Sequence, residues 1–223
     1  IILPAIDSKS YDAMWQCYNL NTKLQRMMIG VHPESVNENY TEELIFIENE
    51  LKHNHKSYVG IGEIGIDLYW DNTFLIEQKI VLQQQLQWSI DYNLPVCIHQ
   101  RNSLKEIMEI LDDFSEELRG VFHCFTGSID EAIQIVERGF YLGIGGVITF
   151  KNSKLSETIK KIGLENLVLE TDAPYLTPVP YRGKRNESSY IPIIANKIAD
   201  ILNVNIDIVS AKTTANAKKL FSL

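Results

Sequence analysis

Short apolar runs rich in Ile, Val and Gly alternate along the chain with longer stretches in which apolar side chains recur at helical spacing. This alternation predicts repeated β-α units around a mainly parallel sheet, which is an α/β fold. The predicted strands span Ile1–Ile6, Met27–Val31, Tyr58–Ile64, Leu94–Ile98, Gly120–His123, Tyr141–Gly145 and Asn166–Glu170. The predicted helices include Phe74–Tyr92, Ser103–Leu118, Ile129–Arg138, Ser153–Ile162, Tyr190–Leu202 and Ile206–Phe221.

The number of strand-helix units is close to that of one common architecture. A closed (β/α)8 barrel has eight units and typically ~250 residues, whereas this chain of 223 residues has one predicted unit fewer. The sequence contains no internal repeat, low-complexity segment or linker-like change of composition. We therefore predict a TIM-type (β/α)8 barrel that lacks one unit, formed by a single domain over residues 1–223.

The overall charge limits which partners the surface can bind. Lys and Arg total 21 against 29 Asp and Glu, which gives a formal net charge of −8 at pH 7. Such a surface repels polyanions, so any phosphate binding must be local. The cations Arg182, Lys184 and Arg185 lie together just after the acidic residues Glu170 and Asp172. We expect these cations to form a local binding place for a polyanion, and Glu170 to have a structural partner.

Composition also bears on the compartment in which the protein works. No apolar run is long enough to cross a bilayer, and the opening IILPAIDSKS lacks the basic region and cleavage site of a signal peptide. Cys17, Cys97 and Cys124 lie far apart and form no C-x-x-C pair. We therefore expect a soluble cytoplasmic protein with reduced cysteines and no membrane partner.

Four residues of metal-ligand type come at the ends of predicted strands. Glu63 ends VGIGE, His99 ends LPVCIH, His123 ends GVFH, and Asp172 follows NLVLET. In a barrel these ends share the face that carries active sites. Each residue alone is typical of a core contact or a helix cap, but carboxylates and imidazoles that converge at one rim are costly to desolvate without a cation. The pattern predicts a site for zinc, manganese or magnesium that can activate water.

Two other motifs are better explained by structure. The segment GIGEIG, Gly60–Gly65, satisfies G-x-G-x-x-G, but IDLYWDNT delays the next helix beyond the turn that a dinucleotide site needs. His53 and His55 have the spacing of paired ligands, yet they follow a helix and precede a strand, which places them at the opposite end of the barrel.

His32 and Arg101 are two further candidates for the functional rim. His32, in GVHP, is interpreted either as a contact to a metal ligand or as a turn residue before Pro33, and both interpretations stay open. Arg101 comes two residues after His99, so we expect it to point to the same rim.

Seven segments occur in an order and at spacings that one family shares. They are GVHP, GEIGIDLYW, LPVCIHQR, FHCFTG, GIGGVITFK, ETDAPYLTPVPYRGKRNE and TTANAKKLF. In these segments, which cover nearly the whole chain, it resembles the TatD-type metal-dependent deoxyribonucleases of the amidohydrolase-like superfamily.

This resemblance implies a role for each candidate ligand. Glu63 is expected to be catalytic and shared by two metal ions, His99 and His123 to bind one ion, and Asp172 to be a ligand that also takes the proton from the attacking, metal-activated water. The reaction implied is hydrolysis of DNA phosphodiester bonds, with exonuclease action on ends or single strands expected. One or two magnesium, manganese or zinc ions per chain would be the cofactor.

The remaining implications concern the substrate and the start of the chain. Substrate binding is assigned to four cations, Arg101, Arg182, Lys184 and Arg185. Most members open with H-x-H on the first strand, and this sequence starts after that point, so we hypothesise that the first strand-helix unit is absent. Asn102 also departs from the family, since an acid commonly follows the arginine of LPVCIHQR. A monomer is expected, or a dimer if the barrel is incomplete.

Two alternative functions stay open at this point. The same ligands serve amide or ester hydrolysis of small molecules in the wider amidohydrolase superfamily. A truncated member could also be catalytically impaired.

Overall fold

The computed structural model describes residues 1–114 and 118–223. The chain divides into two units, Ile1–Gly120 and Val121–Leu223. Whether these form one functional domain, as the sequence predicts, stays a prediction. None of the helices in the described ranges is long and apolar enough to cross a membrane.

The described residues of the first unit form four parallel strands, β1 (Ile2–Pro4), β2 (Arg26–Ile29), β3 (Tyr58–Asp67) and β4 (Val96–Arg101). In this sheet β1 pairs with β2, β2 with β3, and β3 with β4. Parallel neighbours require crossover connections, and these contain α1 (Tyr11–Leu20), α2 (Tyr40–Asn54) and α3 (Leu75–Asp91), with α4 (Leu104–Asp112) after β4. Ile61, Ile64 and Ile98 are fully buried in this unit, and each stabilises it by about 1.5–3 kcal/mol.

The second unit repeats the same arrangement with three parallel strands. They are β5 (Gly120–Phe122), which starts at the unit boundary, β6 (Tyr141–Ile144) and β7 (Leu167–Leu169). The helices are α5 (Ile129–Glu137), α6 (Leu155–Ile162), α7 (Ile191–Leu202) and α8 (Ile206–Phe221). Local sequence fixes the start of α5, because Ser128 and Glu131 form a capping box there.

Every predicted strand overlaps one observed strand, and three boundaries differ enough to matter. β4 continues three residues beyond its predicted end, Ile98. β3 continues three residues beyond the predicted end, Ile64, because Gly65, Ile66 and Asp67 pair with β4. The predicted helix Ser103–Leu118 is too long, since α4 ends at Asp112 and Asp113 already caps it. Residues 115–117 of that prediction lie outside the described residues.

Both motifs assigned to structure lie where the sequence predicts. All of Gly60–Gly65 falls inside β3, and the next helix begins only at Leu75. His53 lies in the last turn of α2, exposed, and its ring contacts the carbonyl of Asn49 at 2.7 Å. The glycine motif is therefore part of a strand, and His53 lies at a helix terminus, as the sequence indicates.

Candidate metal centre

Three side chains of the first unit meet in the second halves of β3 and β4 and just after β2. His32 Nε2 and His99 Nδ1 lie 3.1 and 3.0 Å from Glu63 Oε1, and 3.3 Å from each other. Their side chains are only 12–16% exposed. The structure therefore brings together two of the predicted ligands, Glu63 and His99, and places His32 beside them in a group with metal-ligand atoms within reach of one ion.

A glycine permits the close approach of β3 and β4 at this point. Gly65 pairs with His99 and has φ +148°, and a Cβ placed on it would lie 1.9 Å from the His99 carbonyl oxygen. No other residue fits between these strands without displacing His99. The glycines of GIGEIG thus serve strand packing beside the candidate ligands.

Asp67 holds His99 from the side opposite Glu63. Its Oδ2 lies 2.8 Å from His99 Nε2, its Oδ1 accepts the backbone N–H of Tyr69 at 2.9 Å, and its side chain is 4% exposed. Burial raises the pKa of Asp67, but the hydrogen bonds from His99 and Tyr69 and the charges of His99 and Arg101 outweigh it and bring the pKa below its usual value. Asp67 is therefore an ionised acceptor beside the His99 ring.

The hydrogen bonds of His99 indicate whether His99 and Glu63 could bind a metal ion. Because ionised Asp67 can only accept, His99 carries a proton on Nε2 and, in its neutral form, turns the lone pair of Nδ1 toward Glu63 Oε1. Nδ1 and Oε1, 3.0 Å apart, are held together by a shared proton or by a cation, so a divalent cation can take the place of that proton. A histidine that binds a metal ion usually donates its other ring N–H to a carboxylate, as His99 does to Asp67. The donor set of Glu63 and His99 fits a divalent cation.

His32 has a different hydrogen-bond pattern. Its Nδ1 accepts the backbone N–H of Glu34 at 3.1 Å, because His32 caps the short turn Pro33–Ser35. In a neutral ring the proton then lies on Nε2, which faces Glu63. A histidine that binds metal through Nε2 usually donates from Nδ1 instead. The pattern favours His32 as a hydrogen-bond donor to Glu63, a predicted ligand. His32 is therefore both a turn residue before Pro33 and a contact to a candidate metal ligand, the two interpretations that the sequence leaves open.

Buried glutamines of α3 fix the backbone beside these residues. Gln85, fully buried, accepts the N–H of Val31 at 2.7 Å and donates to its carbonyl at 3.2 Å. Gln78 accepts the N–H of Asp67 at 2.9 Å. The two glutamines are seven residues apart on one face of α3, so they act as hydrogen-bond partners where the strands β2 and β3 end.

The second unit carries the other two predicted ligands. His123 directly follows β5, and its Nδ1 lies 3.6 Å from Glu170 Oε1, which also accepts the N–H of Cys124 at 2.6 Å. Gly143 leaves room for this carboxylate, because a Cβ there would lie 2.4 Å from Glu170 Oε2. The expectation that Glu170 has a structural partner is confirmed. Asp172 lies three residues beyond β7, half-buried, with φ +56°.

A loop that follows Asp172, residues 173–187, carries the cluster of cations. Buried Asn186 donates to the carbonyls of Thr171 and Tyr175, both at 2.6 Å, and the hydroxyl of Thr177 donates to the carbonyl of Lys184. These bonds close the loop on itself. We call it the basic loop.

The three cations of the basic loop have different environments. Arg182, Lys184 and Arg185 are all exposed. The guanidinium of Arg182 stacks 4.0 Å above the ring of Phe150 and donates to the carbonyl of Thr177 at 3.2 Å, so it also supports the loop. Lys184 lies 5.7 Å from the Tyr181 ring. Arg101, in the first unit, stacks 3.6 Å above the Tyr69 ring.

Comparison with known proteins agrees with this picture. The family model described as TatD related DNase matches residues 1–222. The chain belongs to the TatD family. It is 40% identical to an uncharacterized metal-dependent hydrolase, YabD, of Bacillus subtilis (strain 168), over 87% of this chain and 76% of that protein. It is 32% identical to the uncharacterized metal-dependent hydrolase YcfH of Escherichia coli (strain K12), over 87% of this chain and 72% of that protein.

Solved structures of the TatD family confirm the predicted fold class. The TatD homolog YJJV of Escherichia coli K12 superposes with a TM-score of 0.88 at 28% identity, over 100% of this chain and 86% of that one. A TatD family hydrolase of Entamoeba histolytica gives a TM-score of 0.85 at 25% identity, over 99% and 83%. The chain is therefore a TatD-family metal-dependent hydrolase with the α/β fold of TIM-type barrels, and residues 1–114 and 118–223 contain seven parallel strands of that fold.

Asp67 and the two glutamines contact the candidate ligands or the backbone beside them, and the sequence analysis does not predict these contacts. A signal for Asp67 does exist, because it comes four residues after Glu63 on the same strand and so projects to the same face. No comparable signal marks Gln78 and Gln85, which lie in a helix rich in glutamine.

Proposed function

We propose that this protein hydrolyses phosphodiester bonds of DNA, acting as an exonuclease on ends or single strands. The observation that carries the proposal is the partly buried pair of Glu63 and His99, oriented by Asp67, whose donor set fits a divalent cation. Membership of a family described as TatD related DNase supports the choice of substrate, and the exposed cations of the basic loop support a polyanionic one.

Glu63 and His99, together with His123 and Asp172, are proposed as the residues that hold one or two ions of magnesium, manganese or zinc. When bound, such ions neutralise charge on the phosphoryl group and lower the pKa of water. Asp67 keeps the proton of His99 on Nε2, so that Nδ1 remains a lone-pair donor. His32 donates to Glu63 and holds its carboxylate in place.

The other roles belong to residues that handle the proton and the phosphates. Asp172 is proposed to take the proton of the attacking water, since a carboxylate at a strand end can serve as a general base. Lys184 and Arg185 are proposed to bind phosphates of the substrate, and Arg182 to do so while it supports the basic loop through Phe150.

The first experiment is cleavage of labelled single-stranded and duplex DNA with magnesium, manganese or zinc, and with EDTA. We expect metal-dependent release of nucleotides from an end, and a loss of at least about 100-fold in Glu63→Gln and Asp172→Asn. Asp200→Asn, an exposed carboxylate on α7, is the matched control and should keep full activity. Equal activity of parent and both site variants would contradict the proposal.

A second experiment separates a nuclease from a hydrolase of small molecules. Replacing both Lys184 and Arg185 with Gln should weaken binding of single-stranded DNA and reduce the slope of log K against log salt by about 0.7 for each phosphate that the variant no longer neutralises. Lys218→Gln with Lys219→Gln removes the same charge from an exposed face of α8 and should change the slope little. Hydrolysis of an uncharged amide or ester, indifferent to the basic loop, would favour the small-molecule function instead.

A further inference from the structure

The connection after β3 presents two exposed aromatic rings beside a cation. Tyr69 and Trp70 are 49% and 76% exposed, and their ring centroids are 4.7 Å apart at an angle of 89°. The guanidinium of Arg101, at the end of β4, lies 3.6 Å above the Tyr69 ring and 5.7 Å from the Trp70 ring. We call these three residues the aromatic platform.

Hydrogen bonds attach the aromatic platform to the strand ends that carry the candidate ligands. The N–H of Tyr69 donates to Asp67 Oδ1 at 2.9 Å, while Oδ2 of the same carboxylate contacts His99 Nε2 at 2.8 Å. The N–H of Leu68 donates to the carbonyl of Arg101 at 2.9 Å. One carboxylate therefore fixes both the orientation of His99 and the start of the aromatic platform.

The chemistry of the aromatic platform matches one kind of ligand. Aromatic faces stack on nucleobases, and a guanidinium that stacks on a ring keeps its charge and N–H groups for a phosphate. A base inside a duplex has both faces covered by its neighbours, whereas an unpaired base offers its face to a side chain. Single exposed apolar side chains are common on surfaces, but here two adjacent rings and a cation are held together beside the candidate centre.

We propose that the aromatic platform binds an unpaired nucleobase of the DNA substrate by stacking on Trp70, with Arg101 contacting an adjoining phosphate. This inference rests on the proposed function and makes it more specific. The favoured substrate is then a single strand or a frayed end, since each base within a duplex has both faces covered by its neighbours.

Binding of a labelled thymidine pentamer with phosphorothioate linkages, followed by fluorescence anisotropy in magnesium and in EDTA, tests the aromatic platform. Trp70→Leu keeps an apolar side chain but removes the π face, and we expect it to weaken binding about tenfold or more. Trp70→Phe keeps a ring and should bind within about threefold of the parent. Ile76→Ala, which shortens another exposed side chain of the same unit, is the control and should bind like the parent.

A pentamer of the same length with abasic sugars separates stacking from attraction to phosphates. The parent should prefer the base-bearing pentamer by about tenfold or more, and Trp70→Leu should bind both pentamers equally. Arg101→Gln should weaken both, because it removes a phosphate contact. The inference is overturned if the parent does not distinguish the two pentamers, or if Trp70→Leu keeps the preference.

These outcomes are distinct from those that test the proposed function. If the parent prefers the base-bearing pentamer but cleaves no DNA with any of the metals, base binding by the aromatic platform is supported and the nuclease function is contradicted. If the parent cleaves DNA but does not prefer the base-bearing pentamer, the nuclease function is supported and base binding by the aromatic platform is contradicted.

Discussion

Asp67 joins the candidate centre to the connection that follows β3. Its two oxygens contact His99 Nε2 and the N–H of Tyr69, and it is almost completely buried. The sequence predicts Glu63 and His99 because each ends a strand candidate. It does not predict which carboxylate faces the second nitrogen of an imidazole, because that depends on the register between β3 and β4.

We expect Asp67→Asn to lower the affinity for Mn²⁺ by about 10- to 100-fold, because an amide holds the Nε2 proton of His99 less firmly than a carboxylate does. Isothermal titration of the purified protein with MnCl2 measures this change. Asp71→Asn, an exposed carboxylate in the same connection, is the control and should bind like the parent. Unchanged affinity in Asp67→Asn, with the fold intact, would show that His99 needs no such support.

Among the helices, α3 both packs on the sheet and forms hydrogen bonds with the backbone beside the candidate centre. Its pattern predicts a helix over Phe74–Tyr92, and the structure confirms one over Leu75–Asp91. The pattern does not predict that Gln85 is fully buried and forms two hydrogen bonds with Val31, next to His32. Glutamine is typical of surfaces, because its burial is favourable only where an unpaired backbone group can bond to it.

Gln85→Leu should therefore lower the free energy of unfolding by about 1–3 kcal/mol for each backbone group of Val31 left without a partner. Chemical denaturation measures this loss. Gln84→Leu makes the same change at an exposed position of α3 and should shift the free energy by less than about 0.5 kcal/mol. Equal effects of the two substitutions would mean that water replaces Gln85 at no cost.

A second group of elements, α1, α2 and β3, meets around Glu50. Its carboxylate accepts the hydroxyls of Tyr11 at 2.6 Å and Tyr58 at 3.3 Å. Burial raises the pKa of the Tyr58 hydroxyl far above its usual value, and the hydrogen bond with Tyr11 adds to the shift. Burial also raises the pKa of Tyr11, with a further contribution from the hydrogen bond to Glu50.

The raised pKa values of Tyr11 and Tyr58 determine how the free energy of unfolding changes at alkaline pH. Below pH ~10 both tyrosines are protonated in the folded and the unfolded chain, whereas above it the unfolded chain loses protons that the fold retains. The free energy of unfolding should therefore fall as the pH rises past ~10. Denaturation between pH 9 and 11.5 should show a shallower fall in Tyr58→Phe than in the parent, and an unchanged one in Tyr175→Phe, an exposed tyrosine. Equal slopes in the parent and Tyr58→Phe would contradict the assignment.

At the scale of the whole molecule, binding of a divalent cation should stabilise the fold. A ligand that binds the folded chain alone, at about 100 times its Kd, adds ~2.7 kcal/mol, which raises the Tm of a chain of this size by about 5–10 °C. Thermal unfolding with MnCl2 or EDTA measures this rise. We expect this rise in Tm to be absent in His99→Ala and Glu63→Gln, which remove proposed metal ligands. In His32→Ala the rise should be smaller but present, because His32 donates a hydrogen bond to Glu63, whereas His99 offers a lone pair to the ion. Loss of the whole rise in His32→Ala would make His32 a ligand in its own right.

Apolar periodicity along the sequence predicts the α/β fold class, the strands and most helices, and it places Glu63, His99, His123 and Asp172 in the second half of a strand or just after one. These features follow from apolar periodicity and local caps, which act over a few residues and can be read along the chain. Four contacts appear only in the folded chain: Asp67 with His99, Gln85 with Val31, Arg182 with Phe150, and Arg101 with Tyr69. Each of these contacts joins residues from different elements, and strand register and helix packing, which no local pattern encodes, bring such residues within hydrogen-bond or stacking distance.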